Sequence, residues 1–431
     1  SELKRWGEIK DPLHGYIYIT ELEKDLIDTR PIQRLRRIKQ LAGAYLTYIG
    51  AEHSRFGHVL GTMHIAGRIA SHLSEKGLLD EDDVQKARVA GLLHDVGHGP
   101  FSHMFEEILD RYRHITHEDV TTWLIKESEL KDVLEGHGYS AGEISLLAVG
   151  KLQQGKPCLS QIMGSQFAAD IMDFLLRDSY YTGAEYGKVD AHRLIDSLDV
   201  VDDSLAMDMT ASYALEAYII ARYEMFKAVY FHRSVRAAQV MIVRAMDYAN
   251  ECLGLTSFES PDEYLRWDDS SIISALLGLN RNEPKLRIAR DFAERFIERR
   301  LLKCAYEVTI HHRDPFFTNV FSREDYRRTI ASEIAEQSGV DENYVIIDVP
   351  AAPSVPMRSI QGGPAEILVF QRKAGDEKVM RKFSEVSRLV DTLTGYVDVV
   401  RVYCPADHRD KVESASESIL GRRPYSTKVT Y

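Results

Sequence analysis

Within GLLHDVGHGPFSH, residues 91–103, an adjacent His94-Asp95 pair closes an apolar run, and His98 and His103 follow across two glycines. An imidazole nitrogen beside a carboxylate oxygen is the start of a ligand set for a divalent cation. Successive residues of a helix point about 100° apart, so both can reach one ion only at a helix end. The Gly97 and Gly99 loop supplies that end. Further donors lie in separate stretches: His58 in HSRFGHVLG and Asp170 in AADIMDFLLRD. Two histidines and two carboxylates suit one divalent ion per site, with Mn, Fe, Mg, Zn and Ni not distinguished. Such a set leaves positions for water and a substrate oxygen. The competing reading of His94-Asp95 is a buried hydrogen-bonded pair. The concentration of histidines at 58, 94, 98, 103 and 117, with two acids in helix-end contexts, favours the metal.

His98 and His103 follow directly on the ligand pair. Histidines that are not ligands are what phosphate chemistry needs, to neutralise anionic oxygens and to protonate a leaving oxygen. THEDV adds His117 with Glu118 beside it, and a neighbouring carboxylate raises a histidine's pKa. The alternative for His117 is a helix-cap neighbour, with Thr116 as cap. Asp170, Asp173, Phe174, Arg177 and Asp178 share one helix face, which reads either as a solvated salt-bridge strip or as a site wall.

The elements that must position these groups are mainly helical. DLIDTRPIQRLRRIKQLAGAYL reads as a helix starting at Asp28 or Thr29, with its Arg34/Arg37 side free. Helices are expected over 54–75, with Ser54 as cap, and over about 83–94. There the small residues Ala87, Ala90 and Gly91 would let two helices approach closely. The pattern stays helical to about 250. Beyond about 260, KCAYEVTIHH, NYVIIDVPAAPS, AEILVFQRK and YVDVVRVYCP read as strands. Helical stretches lie between them near 283–302, 323–338, 382–394 and 409–420, and PAAPSVPMRSIQGGP (350–364) reads as a loop. The expected fold is a mainly α catalytic unit over 1–250, with 1–45 contributing substrate or regulatory contacts. A smaller α+β region occupies 251–431.

The chain has 431 residues and a formal charge of −12, which argues against a protein built to grip nucleic-acid backbone. No apolar run approaches the roughly 20 residues of a membrane span, and the first residues show no signal-peptide core. Four scattered cysteines without CxxC spacing fit a reducing compartment, so a cytoplasmic location is expected.

HSRFGHVLG, GLLHDVGHGPFSHMFE, THEDV and AADIMDFLLRDSYYTGAEYGKVDAHR resemble, in order and spacing, the HD-domain deoxynucleoside triphosphate triphosphohydrolases. The similarity is to a prokaryotic subgroup related to the vertebrate dNTP-depleting enzyme, and DPLHGYIYI and IDTRPIQRLRRIKQL share it. It extends over about residues 5–240 and implies an HD-domain helical core. By that resemblance His58, His94, Asp95 and Asp170 are the metal ligands. His98, His103 and His117 face phosphate, with His103 the general acid and Glu118 the partner of His117. Arg55 holds phosphate, Gln40 and Leu41 meet the deoxyribose, Asp178 binds the 3′-hydroxyl, and Phe174, Tyr230 and His232 line the substrate. Asp28, Gln33 and Arg36 match positions that bind an activating guanine nucleotide. The implied reaction is attack of metal-activated water on the α-phosphorus of a dNTP, releasing deoxynucleoside and triphosphate, in a homo-oligomer (dimer or tetramer). The chain departs from the pattern at Gly57, where a Glu is usual, at Ile171 and Phe174, which replace a lysine and a tyrosine, and at Phe231, which replaces a base-reading glutamine. These departures keep open a phosphatase or phosphodiesterase acting on another nucleotide. A non-catalytic nucleotide-sensing oligomer is the third reading.

Overall fold

In the computed structural model, which describes residues 2–310, 320–350, 367–393 and 398–421, helices Arg55–Glu75 and Glu81–Leu93 pack side by side behind the His94-Asp95 pair. Asp80 and Asp83 form a reciprocal cap that starts the second helix, and the chain leaves it at His94. The expected close approach is present: a Cβ on Gly91 would lie 3.0 Å from backbone atoms of Met63. Helix Ala169–Thr182 packs on Arg55–Glu75 as well. There a Cβ on Gly61 would stand 1.9 Å from Asp173 Oδ1 and 2.6 Å from Arg177 Nη2. Glycine at 61 is therefore what lets a charged helix face lie against another helix.

The expected helix from Thr29 onward is interrupted. Arg30–Arg34 is helical, Leu35–Arg37 is a 3₁₀ turn, Ile38 is extended, and a second 3₁₀ turn covers Ala42–Leu46. Backbone pairing outcompetes helix propagation at that point. The Gln40 amide donates to the His53 carbonyl at 3.0 Å, and the Arg55 amide donates to Ile38 at 2.9 Å. The Arg34 side is not free either. Arg34 is 1% exposed and donates through Nε to Trp267 O at 2.9 Å and through Nη1 to His98 O at 2.7 Å.

Among the described residues three small sheets decorate the helices. Gly7–Asp11 and Gly15–Ile19 form an N-terminal hairpin, in line with the strand expected there. A second hairpin, Leu198–Val201 with Ser204–Asp208, lies inside the stretch read as helical. Its turn, Asp202-Asp203 at φ 50° and 62°, is a two-residue hairpin turn flanked by β-forming residues, a signal present in the sequence. Ser204–Asp208 pairs in parallel with Leu368–Arg372, which pairs with Lys378–Lys382, so this sheet joins residues on either side of position 250. In the third sheet Asp398–Cys404 runs between Lys303–Ile310 and Ile346–Asp348. Helices Glu324–Ser338 and Arg409–Leu420 cover it around Ile334, Val345, Val400, Val402 and Val412. The expected α+β texture is thus present. The loop at 350–364 and the end of the KCAYEVTIHH strand lie outside the described residues, apart from Pro350. Among the described residues no helix is long and apolar enough to cross a membrane.

Replacing Gly61 with alanine should lower stability by about 1–3 kcal/mol, because the added methyl meets a buried carboxylate. A drop in thermal midpoint with partial loss of metal uptake is the expected readout.

Candidate metal centre

His58 lies in the first turn of Arg55–Glu75, and His94 ends Glu81–Leu93. With Asp95, each brings a donor atom to within 4.8 Å of the others, and all three are buried. Their hydrogen bonds decide which nitrogens are free. His94 Nδ1 is 2.6 Å from the Gly91 carbonyl, which only accepts, so Nδ1 carries the proton. Its Nε2 is buried without a hydrogen-bond partner, 3.3 Å from Asp95 Oδ1. His58 Nδ1 faces Asp173 Oδ2 at 2.8 Å, and its Nε2 lies 3.4 Å from Asp95 Oδ2. Both rings thus turn an ε nitrogen toward one carboxylate while a second acceptor fixes the other nitrogen, as metal-binding histidines require. A divalent cation fits this donor set.

Asp173 is the orienting group that sequence reasoning passed over, although it sits on the acidic helix face with Asp170. It is fully buried, and it accepts from Arg177 (Nε at 3.0 Å and Nη2 at 3.1 Å) and pairs with His14 Nε2 at 2.7 Å. Asp170, the expected fourth ligand, does not join the group of three. It occupies the first turn of Ala169–Thr182, within electrostatic reach of Tyr218 and Arg222.

His98, His103 and His117 form a second group. His98 and His117 stack with ring centroids 4.0 Å apart, and His103 meets both edge-on. The partner of His117 is Glu106, which accepts from its ring Nδ1 and, at 2.8 Å, from its backbone amide. Glu118 instead pairs with Lys151 at 2.9 Å. Glu118 adds only a smaller charge effect on His117, whereas Glu106 reaches across from helix His103–Arg113, within the HMFE of the motif. Burial opposes charge on His117, but the Glu106 hydrogen bond and charge lift its pKa above the usual imidazole value. Burial, then Arg55 and His117, push His103 down to about 4, and burial with Arg55 drives His98 well below its usual value. Of the three, only His117 is shifted toward its cationic form. Burial also opposes charge on Asp95, but His94, Arg55 and His98 hold it well below the usual carboxylate range.

Arg55 is buried, bonded to Asp95 Oδ2 at 2.5 Å and to Ser102 Oγ at 2.7 Å. Asp178 accepts from Tyr230 OH at 2.6 Å and pairs with His53 Nε2 at 2.7 Å, a partner not foreseen despite its place in HSRFGH. Gln40 Oε1 is buried without a partner. Leu41 is half-buried, Phe174 stands 6.1 Å edge-on from the Tyr230 ring, and His232 caps helix Arg233–Leu253. Among the regulatory candidates, Asp28 pairs with Lys24 at 3.4 Å, and Gln33 accepts from Arg36 Nε at 2.8 Å. The Arg36 guanidinium lies 3.7 Å over the Phe56 ring. Gln33 also borders a cavity of about 290 Å³ walled by Arg30, Arg34, Arg37 and Arg266.

Comparison with known proteins places these residues in context. The HD domain family matches residues 55–150, and the HD associated region family matches residues 189–430. Uncharacterized protein YwfO of Bacillus subtilis is 31% identical over 405 residues, covering 90% of this chain and 89% of that protein. A protein of Dictyostelium discoideum described as a deoxynucleoside triphosphate triphosphohydrolase SAMHD1 homolog is 30% identical over 322 residues, 70% of this chain and 60% of its own length. A hypothetical protein of Aquifex aeolicus, solved by crystallography, superposes with a TM-score of 0.73 at 29% identity, over 95% of this chain and 99% of that one.

Burial opposes protonation of His58, but Asp173 and Asp95 raise its pKa, so a proton competes with a cation for Nε2 to a higher pH than for an ordinary imidazole. Apparent affinity for a divalent ion should therefore fall as pH is lowered from 8 to 6, with proton release on binding, by titration calorimetry in buffers of different ionisation heat.

Proposed function

Because the chain belongs to the HD-domain family and carries its HD associated region, we propose that it is a metal-dependent phosphohydrolase that converts dNTPs to deoxynucleoside and triphosphate. The observation that carries this reading is the orphaned His94 Nε2 beside His58 and Asp95, with a separate histidine group reached through the same Asp95 carboxylate. His58, His94, Asp95 and, by resemblance, Asp170 would hold the cation, which when bound supplies Lewis acidity and a water of lowered pKa.

The chain's own groups do the rest. Arg55 and His117 present positive charge to phosphate oxygens, and Glu106 keeps His117 protonated. His103, the most open of the three histidines, has its pKa lowered by desolvation of its ring and then by the cationic Arg55 and His117 beside it. An arriving polyphosphate reverses the sign of that environment and raises its pKa, so it can hold the proton the departing 5′-oxygen takes. Gln40 offers an unpaired buried oxygen to the sugar. Asp178, which accepts from Tyr230, still has lone pairs for a 3′-hydroxyl. The relative described as a dNTP triphosphohydrolase supports the substrate class. A second reading, phosphomonoester or diester hydrolysis, is favoured by the triphosphate side: Phe174 has no hydroxyl, and the Tyr230 hydroxyl is spent on Asp178. The assembly is proposed to be a dimer or tetramer of this chain in the cytoplasm, with Asp28, Gln33 and Arg36 receiving a guanine nucleotide.

A panel of dNTPs, NTPs and monophosphates with several divalent ions, with and without GTP, should yield triphosphate from dNTPs. Release of only orthophosphate would move the assignment to the second reading. Asp95→Ala should retain below about 1% of wild-type turnover. Glu106→Gln removes what raises His117, so the protonated form is lost at lower pH. The alkaline limb of the kcat profile should move to lower pH, read from pH–rate curves.

A further inference from the structure

The loop bearing His98 and His103 is held along its length by residues 264–269, well outside the HD domain match. Tyr264 OH donates to Gly97 O at 2.6 Å, and Arg34 bridges His98 O at 2.7 Å to Trp267 O at 2.9 Å. The last hold is a side-chain carboxylate. Asp269 accepts the Phe101 amide on Oδ1 at 2.7 Å and the Lys39 amide on Oδ2 at 2.9 Å.

These two amides belong to segments that meet at the site. Phe101 and Ser102 are successive non-glycine residues at φ 56° and 57°, with ψ −117° at Ser102. Such conformations are strained and persist only where the surroundings over-determine them. The turn delivers His103 as the first residue of its helix. Ser102 Oγ accepts from Arg55 Nε at 2.7 Å and donates to Lys39 O at 2.8 Å. Lys39 leads directly to Gln40. Asp269 is itself fixed, as the first residue of helix Asp269–Leu277 behind the Asp268 cap, which Arg37 grips at 2.7 Å.

We propose that Asp269 is a positioning residue for this site. Its carboxylate fastens the strained Phe101-Ser102 turn to the Lys39-Gln40 segment, so that His103, Arg55 and Gln40 keep one arrangement. Burial raises the Asp269 carboxyl to about 6 against the pull of the two amides, so at neutral pH it is ionised and both oxygens accept. The kinetic consequence rests on the phosphohydrolase reading above; the structural one does not.

The test uses full-length Asp269→Ala and Asp269→Asn, each measured for metal content, thermal midpoint, amide hydrogen exchange and steady-state kinetics on the best nucleotide of the wild type. Both variants should take up metal as the wild type does. In the alanine variant the Phe101 and Lys39 amides should exchange at least about 10-fold faster, and kcat should fall about 10- to 100-fold with a smaller change in KM. The asparagine variant, with one carbonyl oxygen left, should regain protection at one amide and lie between the two in kcat. Unchanged exchange and unchanged kcat in Asp269→Ala would overturn the proposal. So would equal loss of fold and metal in both variants, which marks a merely structural residue. If the wild type turns over no nucleotide, the function proposed above fails, while the exchange comparison still decides the role of Asp269.

Discussion

One buried carboxylate, Asp95, belongs to both groups of histidines. Its Oδ1 stands 3.3 Å from His94 Nε2 and 3.3 Å from His98 Nε2, and its Oδ2 stands 2.5 Å from Arg55 Nη1 and 3.4 Å from His58 Nε2. A carboxylate removed from water carries a penalty of several kcal/mol unless charge and hydrogen bonds compensate it. Here every compensating group is also one of the proposed site residues. The helix must therefore end at His94, because only a turning backbone lets His94, Asp95 and His98 converge on one point within five residues.

Asp173 repeats this logic one layer further out. It compensates His58, and is compensated by Arg177 and His14, while Arg177 reaches Asp11 at 2.9 Å. The N-terminal hairpin is thereby tied electrostatically to the metal side. The glycines of the facing helix make this possible. A Cβ on Gly57 would lie 3.2 Å from Arg177 Nη1, so a side chain there would crowd the buried arginine.

Much of this was legible in the sequence where it depended on local periodicity. Helix Arg55–Glu75, the helix ending at His94, and the C-terminal alternation of strands and helices follow from residue spacing, and the histidine-rich motif marked the site. What was not legible depended on which of two chemically equal neighbours the tertiary fold would select. Glu106 and Glu118 both lie near His117 in sequence, but helix direction gives it to Glu106. Asp170 and Asp173 share a helix face, and the packing against Gly61 brings Asp173 to His58. The Ile38–Lys39 break in the helix could not be read from its own residues, since Lys39 pairs with Ser54 and the Gln40 amide donates to His53. The hairpin at Leu198–Asp208 was readable from its two-residue acidic turn, and helical context obscured it.

The two family matches leave residues 151–188 between them, yet that interval holds Asp170, Asp173 and Asp178. The N-terminal segment before residue 55, also outside both, supplies Asp11, His14, Arg34 and Gln40. The associated region supplies Tyr230, Tyr264 and the Trp267 carbonyl. One continuous core runs from Ile17 through Leu93, Leu175 and Met241 to Tyr403, whose hydroxyl donates to Arg233 O at 2.8 Å. The sheet around Val400 and Val402, with its covering helices, has a separate core, and two small clusters gather at Ala44, Ala51 and Val235 and at Val201, Ala206 and Phe370. The site is thus not a motif carried on one module. Positive-φ backbone at Phe101-Ser102 and a buried Arg34 held by two backbone carbonyls can persist only inside a frame that is rigid on all sides. That frame is built from segments throughout the chain, so the division that physics draws lies at the small terminal sheet rather than at either end of the HD domain.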